Sequence, residues 1–149
     1  MEGIKVLISL LLFSTCFANA QPLPHEYDSA LAIKLGADDN GMKKYVLVLL
    51  KPTALVLDKS VRDSLFRGHM ENINRLATAG LLVVAGPMGK NDRYSGIFIL
   101  NAKSIEEGNA LVQSDPAVKA GVFDADCYIW YGSAALQETL NIHSRIEKK

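Results

Sequence analysis

The sequence predicts an α+β domain in which four strands and two helices follow one another in the order βαββαβ. Four runs rich in leucine, β-branched and aromatic residues lie between residues 45 and 131, and two stretches with apolar residues at helical spacing separate them. Gly80, Gly86-Pro87 and Gly121 lie at junctions, where chain-breaking residues are expected. This alternation of strand-like and helix-like patterns of apolar residues indicates the fold class.

The first half of the domain is predicted as strand, helix and strand. Residues 45–50 form a short apolar run that ends before Lys51-Pro52, as a strand does. Ser60 is the predicted N-cap of the first helix, which ends before Gly80. The apolar face of this helix consists of Val61, Leu65, Ile73, Leu76 and Ala79. Residues 81–85 then form the second strand.

The second half is predicted as strand, helix and strand. Residues 94–100 form the third strand, after a polar loop that contains glycine. Ser104 and Glu107 make a capping box that begins the second helix, which runs to about residue 113. Its buried face consists of Ile105, either Gly108 or Asn109, and Val112. Residues 122–131 form the fourth and longest strand. This order is that of the ferredoxin-like fold, a four-stranded antiparallel sheet with two helices on one face.

The second face of the sheet also needs a cover, because the first three strands are apolar on both faces. In the first strand, Tyr45, Leu47 and Leu49 alternate with Val46, Val48 and Leu50. A second copy of the chain, packed sheet to sheet, would bury this face in a symmetric homodimer. In the alternative arrangement, the segments that flank the domain fold back over it as helices.

The fourth strand has two unlike faces. The apolar face consists of Phe123, Ala125, Cys127, Ile129 and Tyr131, and the mixed face of Val122, Asp124, Asp126, Tyr128 and Trp130. The mixed face is interpreted either as the lining of a cavity for a small polar ligand or as the charged face of an edge strand. Cys127, on the apolar face, is typical of a buried cysteine that acts as a small hydrophobic residue.

Residues 1–20 are typical of a secretory signal peptide. Lys5 precedes an apolar run at residues 6–17, shorter than the roughly 20 residues that a membrane span needs. Small residues suit cleavage after Ala20, so we expect an exported protein, periplasmic or secreted, with no membrane attachment after cleavage. Lipidation at Cys16 is the less favoured alternative, because the usual small residue does not precede this cysteine.

Cleavage of 20 of the 149 residues leaves 129, enough for one domain of common size. We place this domain at residues 44–131, with an N-terminal flank at 21–43 and a C-terminal flank at 132–149 that is partly helical. The chain has 16 basic and 16 acidic residues, so it lacks the positive charge that nucleic acids select. His25 and His143 have no ligand-like spacing, and no metal or cofactor is expected.

His69 lies on the predicted apolar face of the first helix, four residues from both Leu65 and Ile73. One interpretation is a core or rim histidine that bonds to backbone carbonyls. The other is catalytic, because a carboxylate would hold one ring nitrogen protonated and leave the other free for proton transfer. Asp115 is the candidate carboxylate, although Asp-Pro is also typical of the N-cap of a short helix. The two roles are compatible, since a carboxylate has two oxygens.

The region from about residue 44 to 131 resembles the YciI-like family, which has the YCII-related domain. The likeness is carried by the helix residue His69, by Ala85-Gly86-Pro87 after the second strand, and by Asp115-Pro116 with the later Ala120-Gly121. The resemblance implies a dimeric α+β barrel of ferredoxin-like protomers whose active site contains a His and an Asp, here His69 and Asp115. It implies no cofactor, and a few members look like lyases or dehalogenating enzymes that act on small ring compounds.

The expected function is therefore general acid-base chemistry by His69 and Asp115 on an unknown small organic molecule, by elimination, isomerisation or hydrolysis. The alternative is a non-catalytic dimeric module that binds a small molecule or a partner. Catalysis requires that the His69 ring reach the rim of the helix–sheet interface. We expect it to open toward the loops at residues 88–94 and 113–115.

Overall fold

The structure, a computed structural model, describes residues 26–90 and 92–148, so the predicted signal peptide lies outside the described residues. The strands are β1 (Met42–Pro52), β2 (Leu82–Pro87), β3 (Gly96–Leu100) and β4 (Phe123–Ser133). The α-helices are α1 (Ser29–Leu35), α2 (Lys59–Thr78), α3 (Ile105–Val112), α4 (Pro116–Lys119) and α5 (Thr139–Ile146), and a 3-10 helix at Ala134–Glu138 joins β4 to α5. Within these two ranges, no helix has the length and apolar character that a membrane span requires.

The four strands form one sheet in the order β2-β3-β1-β4, and every neighbouring pair is antiparallel. The two longest strands, β1 and β4, pair from Met42 opposite Ser133 to Pro52 opposite Phe123. This topology confirms the predicted ferredoxin-like fold. It leaves β2 and β4 as the two edges of the sheet.

The main core lies between the sheet and the helices α2, α3 and α4, which share one face. Val46, Val48 and Leu50 of β1 are buried there against Leu76 of α2 and Val112 of α3. Burial of this apolar area supplies the main driving force for folding.

The sequence left open whether Gly108 or Asn109 belongs to the buried face of α3. In the structure, Gly108 is buried and Asn109 is exposed. A Cβ atom on Gly108 would lie 2.7 Å from Cγ1 of Val46, so the glycine allows α3 to approach the sheet closely.

The second face of the sheet is partly covered by the C-terminal flank. Tyr45, Val83 and Ile99 are buried on this face, and Leu136 of the 3-10 helix packs against them. The Tyr45 hydroxyl donates a hydrogen bond to the Ser133 carbonyl at 3.0 Å. The alternative arrangement, in which a flank folds back, is thus found at one end of the sheet.

The other end of that face carries an apolar patch that consists of Leu49, Ile97 and Tyr128. Leu49 and Ile97 are half-buried and paired across β1 and β3, and the Tyr128 side chain is exposed. A homodimer through this patch stays a prediction.

The mixed face of β4 forms ion pairs. Lys51 Nζ lies 3.0 Å from Asp124 Oδ2 and 2.8 Å from Asp126 Oδ1, and β4 is an edge strand. These two hydrogen-bonded carboxylates raise the pKa of Lys51. The arrangement is that of a charged edge strand, the second of the two interpretations of this face.

Ser60 is not the N-cap of α2, so that prediction is wrong. The Arg62 N–H donates to the Asp58 carbonyl at 3.0 Å, which makes Asp58 the N-cap residue and places Ser60 inside the first turn. Ser104 does cap α3, and its side chain accepts a hydrogen bond from the Glu107 N–H at 3.2 Å.

We expect the substitution Gly108→Ala to lower the free energy of unfolding by about 1–2 kcal/mol, because overpacking against buried Val46 outweighs the helix propensity of alanine. Urea unfolding measures this change. Asn109→Ala, at the neighbouring exposed position, is the control and should leave stability unchanged or slightly raised. Equal stability of the two variants would contradict the close packing of α3.

Candidate functional site

His69 lies on the buried side of α2, in line with Asn72 and Leu76. Its ring is surrounded by three aromatic side chains. It stacks on Phe98, with 5.9 Å between ring centroids and 26° between planes, and lies 5.5 Å from Phe123 and 6.2 Å from Phe66. The residue is 8% exposed, so the imidazole is held firmly with only a small part open.

Asp115 is the N-cap of α4, as its Asp-Pro sequence predicts, and it is fully buried. Its Oδ1 accepts a hydrogen bond from the Ala117 N–H at 2.9 Å, and its Oδ2 lies 2.7 Å from Nδ1 of His69. The structure therefore brings the two predicted site residues together across 46 positions of sequence. One carboxylate caps the helix and pairs with the imidazole, since each role uses a different oxygen.

The close approach of α2 and α4 makes this pairing possible. A Cβ atom on Gly68 would lie 3.1 Å from Cγ of Pro116, a tight contact that the proline ring would have to relieve by a few tenths of an ångström. Gly68 precedes His69 and Pro116 follows Asp115. The glycine thus leaves room for α2 and α4 to pack closely beside the pair.

The pairing determines which ring nitrogen carries the proton. An ionised carboxylate only accepts hydrogen bonds, so Nδ1 of His69 is the donor to Asp115. In the neutral ring, Nε2 then has a free lone pair. This is the arrangement of a histidine that acts as a general base and is oriented by an acid.

Three residues support the pair and were not anticipated from the sequence: Asn72, Arg75 and Ser114. Asn72 is buried, and its Nδ2 points to Asp115 Oδ2 at 3.4 Å. Arg75 holds the other end of this amide, because its Nη2 donates to Asn72 Oδ1 at 2.7 Å and to Ser114 Oγ at 2.8 Å. The sequence did hold one indication of Asn72: it follows His69 by three positions, so the two residues lie on the same side of a helix.

Asp115 stays ionised in this environment. Burial alone raises the pKa of its carboxyl group, but the hydrogen bond and the charge of His69, with the bonds from Ala117 and Asn72, lower it further than burial raises it. The net result is a pKa below the usual value for an aspartate. The site therefore holds a buried carboxylate that stabilises a positive charge on the imidazole.

A cavity of about 630 Å³ adjoins His69. Residues of α2, β2, β3 and α5 line it, and its floor is largely apolar: Leu50, Ile73, Leu82, Val84 and Phe98. Among the described residues, Gln137 Nε2 is the only fully buried side-chain nitrogen or oxygen without a hydrogen-bond partner. No described group bonds to Nε2 of His69 and this atom is not among the fully buried ones, so it has some exposure, and His69 is a lining residue of the cavity.

The lining of the cavity includes Pro87 and Ser95, which border the loop at residues 88–94, and the expected opening toward the loops at residues 88–94 and 113–115 stays a prediction. The cavity beside the ring extends to β2 and α5. The reason is the tertiary course of the C-terminal flank, which brings α5 to the edge strand β2 and encloses space there. In the ranges 26–90 and 92–148, no group of three or more His, Cys, Asp or Glu side chains is placed to hold a metal ion. Cys127 is half-buried against the core, and this burial raises the pKa of its thiol.

Comparison with known proteins relates residues 42–129 to the family model of the YCII-related domain. Among solved structures, the chain is similar to 5-chloro-2-hydroxyhydroquinone dehydrochlorinase from Burkholderia phenoliruptrix AC1100, in complex with 2,5-dihydroxybenzoquinone. The two chains are 26% identical over 58% of this chain and 92% of that chain, with a TM-score of 0.45. A search of curated proteins gives no match.

Stability should depend on the ionisation of Asp115. Its pKa is lower in the folded than in the unfolded chain, so its contribution is fully present above the unfolded value of about 4 and is lost as pH falls through the folded value. The free energy of unfolding of the wild type, measured with urea at a series of pH values, should fall below about pH 4. For Asp115→Asn, the curve of this free energy against pH should be flatter. Asp124→Asn, which removes an exposed ion pair with Lys51, is the control: the slope of its free energy of unfolding against pH should stay close to that of the wild type. A wild-type curve as flat as that of Asp115→Asn would rule out a lowered pKa.

Proposed function

The chain belongs to the YCII-related domain family, and we propose that it is a small exported enzyme in which His69 transfers protons to and from an organic molecule bound in the cavity. Asp115 orients the imidazole and stabilises its charged form. The observation that carries this proposal is the buried hydrogen bond of 2.7 Å between Nδ1 of His69 and Oδ2 of Asp115, next to a cavity that His69 lines. The signal-like composition of residues 1–20 supports export.

The reaction begins when Nε2 of the neutral imidazole removes a proton from an acidic C–H or O–H group of the substrate. The electron pair of the broken bond enters the substrate, where conjugation accepts it or a leaving group departs with it. The imidazolium that results is paired with the Asp115 carboxylate. In an elimination it then returns the proton to the leaving group or to water, and in an isomerisation to another atom of the substrate. In a hydrolysis, Nε2 instead removes a proton from a water molecule whose oxygen attacks the substrate, and the imidazolium gives that proton to the departing group.

The surroundings of His69 suit this chemistry. Three aromatic rings and the apolar floor keep bulk water away from the imidazole, and electrostatic interactions are stronger where water is excluded. Asn72 and Arg75 keep the carboxylate in place, so the imidazole does not have to reorient when it takes up a proton. The site is thus arranged in advance for the charged intermediate.

The position of the proton on the neutral His69 ring tests the proposed pairing with Asp115 directly. In ¹⁵N NMR spectra of the neutral ring, the wild type should show a protonated Nδ1 and an unprotonated Nε2. In Asp115→Asn, the new amide donates to Nδ1, so the proton should move to Nε2 while the Asn oxygen still caps α4. A wild type with its proton on Nε2 would overturn the proposal.

Activity and binding should separate in His69→Asn, whose amide can still donate to Asp115. Ligands are first found by thermal shift in a panel of small ring and carbonyl compounds, since binding to the native state raises its stability. For a compound that the wild type converts, we expect kcat to fall about 100- to 10,000-fold in His69→Asn, with binding retained. Retained turnover would exclude His69 as the acid-base group. Binding without turnover in the wild type would favour the non-catalytic module.

We also propose that two copies pair through the apolar patch Leu49, Ile97 and Tyr128. Light scattering on residues 21–149 should give the mass of a dimer. Leu49→Lys should give a folded monomer, because Asp126 lies opposite position 49 and can pair with the new charge. Val56→Lys, at an apolar position that is 92% exposed in a loop, is the control and should stay dimeric. A monomeric wild type at micromolar concentration would exclude this dimer.

A further inference from the structure

The cavity beside His69 continues around the free edge of the sheet. Ala85 and Phe98 line it, and both pack in the main core, on the face of the sheet that carries α2. Val84 and Gly86 line it as well, and Val84 packs against the buried residues of the second face. Neighbouring residues of a strand point to opposite faces, and β2 is an edge strand of the sheet that the described residues form. The cavity therefore has one part at His69 and another on the second face.

The volume of the cavity indicates a ligand larger than a single ring. The cavity holds about 630 Å³, whereas a cavity of about 150 Å³ is enough to bind benzene. A single ring at His69 would leave the part on the second face unfilled, and the apolar atoms of Val83 and Val84 there would lack packing contacts. A ligand that fills both parts is therefore elongated.

Gly86 lies in the part on the second face, at a position where the fold does not require a glycine. Its φ lies outside the left-handed region. Gly86 precedes Pro87, and the residue before a proline favours the extended backbone that L side chains readily adopt. Apart from its chain neighbours, a Cβ atom on Gly86 would meet no described heavy atom within 4 Å. Neither the backbone nor the packing of the described residues explains the missing side chain.

Gly96 also lines the cavity, but its missing side chain has a structural cause. A Cβ atom there would lie 2.9 Å from the carbonyl oxygen of Gly86, too close for a backbone atom that cannot turn aside. A glycine inside a strand weakens it, because it has no side chain to pack, and the usual reasons for one are a bulge or the close approach of a backbone or a ligand. At Gly96 the approaching group is a backbone. At Gly86 it is the open space of the cavity, which favours a ligand.

From these observations we propose that Gly86 determines the size of the ligand. Its missing side chain leaves room for the far part of a molecule that passes around the edge of β2, while the reacting part lies at His69. The inference rests on the proposed function for the position of the reacting part. It adds a specificity-determining residue and a class of ligand, an elongated molecule larger than one ring whose far part contacts the apolar wall of β2.

The test compares two ketones that share one reacting group, cyclohexanone and 4-tert-butylcyclohexanone. Both have acidic C–H groups beside the carbonyl, and only the second has a bulky apolar end. Binding is followed by NMR titration of the ¹⁵N-labelled domain with both flanks. We expect the wild type to bind 4-tert-butylcyclohexanone more tightly than cyclohexanone, because it fills more of the cavity. Its binding should shift the signals of both the His69 ring and the residue 86 amide.

Gly86→Val should weaken the binding of 4-tert-butylcyclohexanone about tenfold, because the new side chain occupies the space that the bulky end needs. The affinity for cyclohexanone should stay unchanged. The melting temperature of this variant should equal or exceed that of the wild type, since valine suits a strand and its Cβ enters open space. Gly96→Ala, by contrast, should lower the melting temperature, because its Cβ meets backbone.

Gly89→Val is the matched control. Gly89 lies in the loop after β2, and a Cβ atom there also has open space, but this residue is not a lining residue of the cavity. The control should leave both ketone affinities unchanged. A loss of affinity for 4-tert-butylcyclohexanone in Gly89→Val as large as that in Gly86→Val would contradict a specific role of Gly86.

Other outcomes would overturn the inference as well. They are an unchanged affinity of Gly86→Val for 4-tert-butylcyclohexanone, equal weakening of both ketones, a lower melting temperature of this variant, or a wild type that binds the bulky ketone no more tightly than cyclohexanone. A changed mass of Gly86→Val in light scattering with unchanged ketone binding would assign the glycine to contact between two copies. These titrations need no turnover, so their result is independent of the acid-base role of His69, which the proton position and His69→Asn test.

Discussion

The buried pair of Asp115 and His69 is the interaction on which the site depends. A carboxylate with no exposure needs hydrogen bonds on both oxygens, because an unpaired buried charge costs several kcal/mol. One oxygen is satisfied by the Ala117 N–H of α4 and the other by the imidazole on α2. The pair therefore joins two helices that are distant in sequence. Gly68 lets α2 lie close to Pro116 of α4, beside the pair.

The fold determines where this pair can meet a ligand. On the helix side of a ferredoxin-like sheet, the interface between helix and strands is filled by the core, and a histidine at its centre would be sealed. His69 escapes this because the cavity extends from α2 to β2, an edge strand of the sheet that the described residues form. The C-terminal flank uses the same edge. It covers part of the second face with Leu136 and then closes the cavity with α5.

Sequence patterns predicted the elements better than their ends. The alternation of periods was sufficient for the ferredoxin-like order, because each strand and helix must bury its own apolar side. The N-cap of α2 was placed wrongly at Ser60, since several neighbouring residues can cap a helix and only the backbone hydrogen bonds choose between them. The choice of Gly108 over Asn109 in α3 likewise depended on its distance from Val46. Asn72 and Arg75 were missed because their roles arise from contacts between α2 and the segment before α4.

The sequence by itself determined the order of elements, the family and the two residues of the candidate site, because periodicity and short motifs are local properties of the chain. Only the tertiary structure decided that Asp115 uses one oxygen to cap α4 and the other to hold His69. It also decided that the cavity beside the imidazole extends to β2 and α5, which depends on where the C-terminal flank packs. Such packing involves residues far apart in sequence, and no local pattern records which surfaces of the chain will meet.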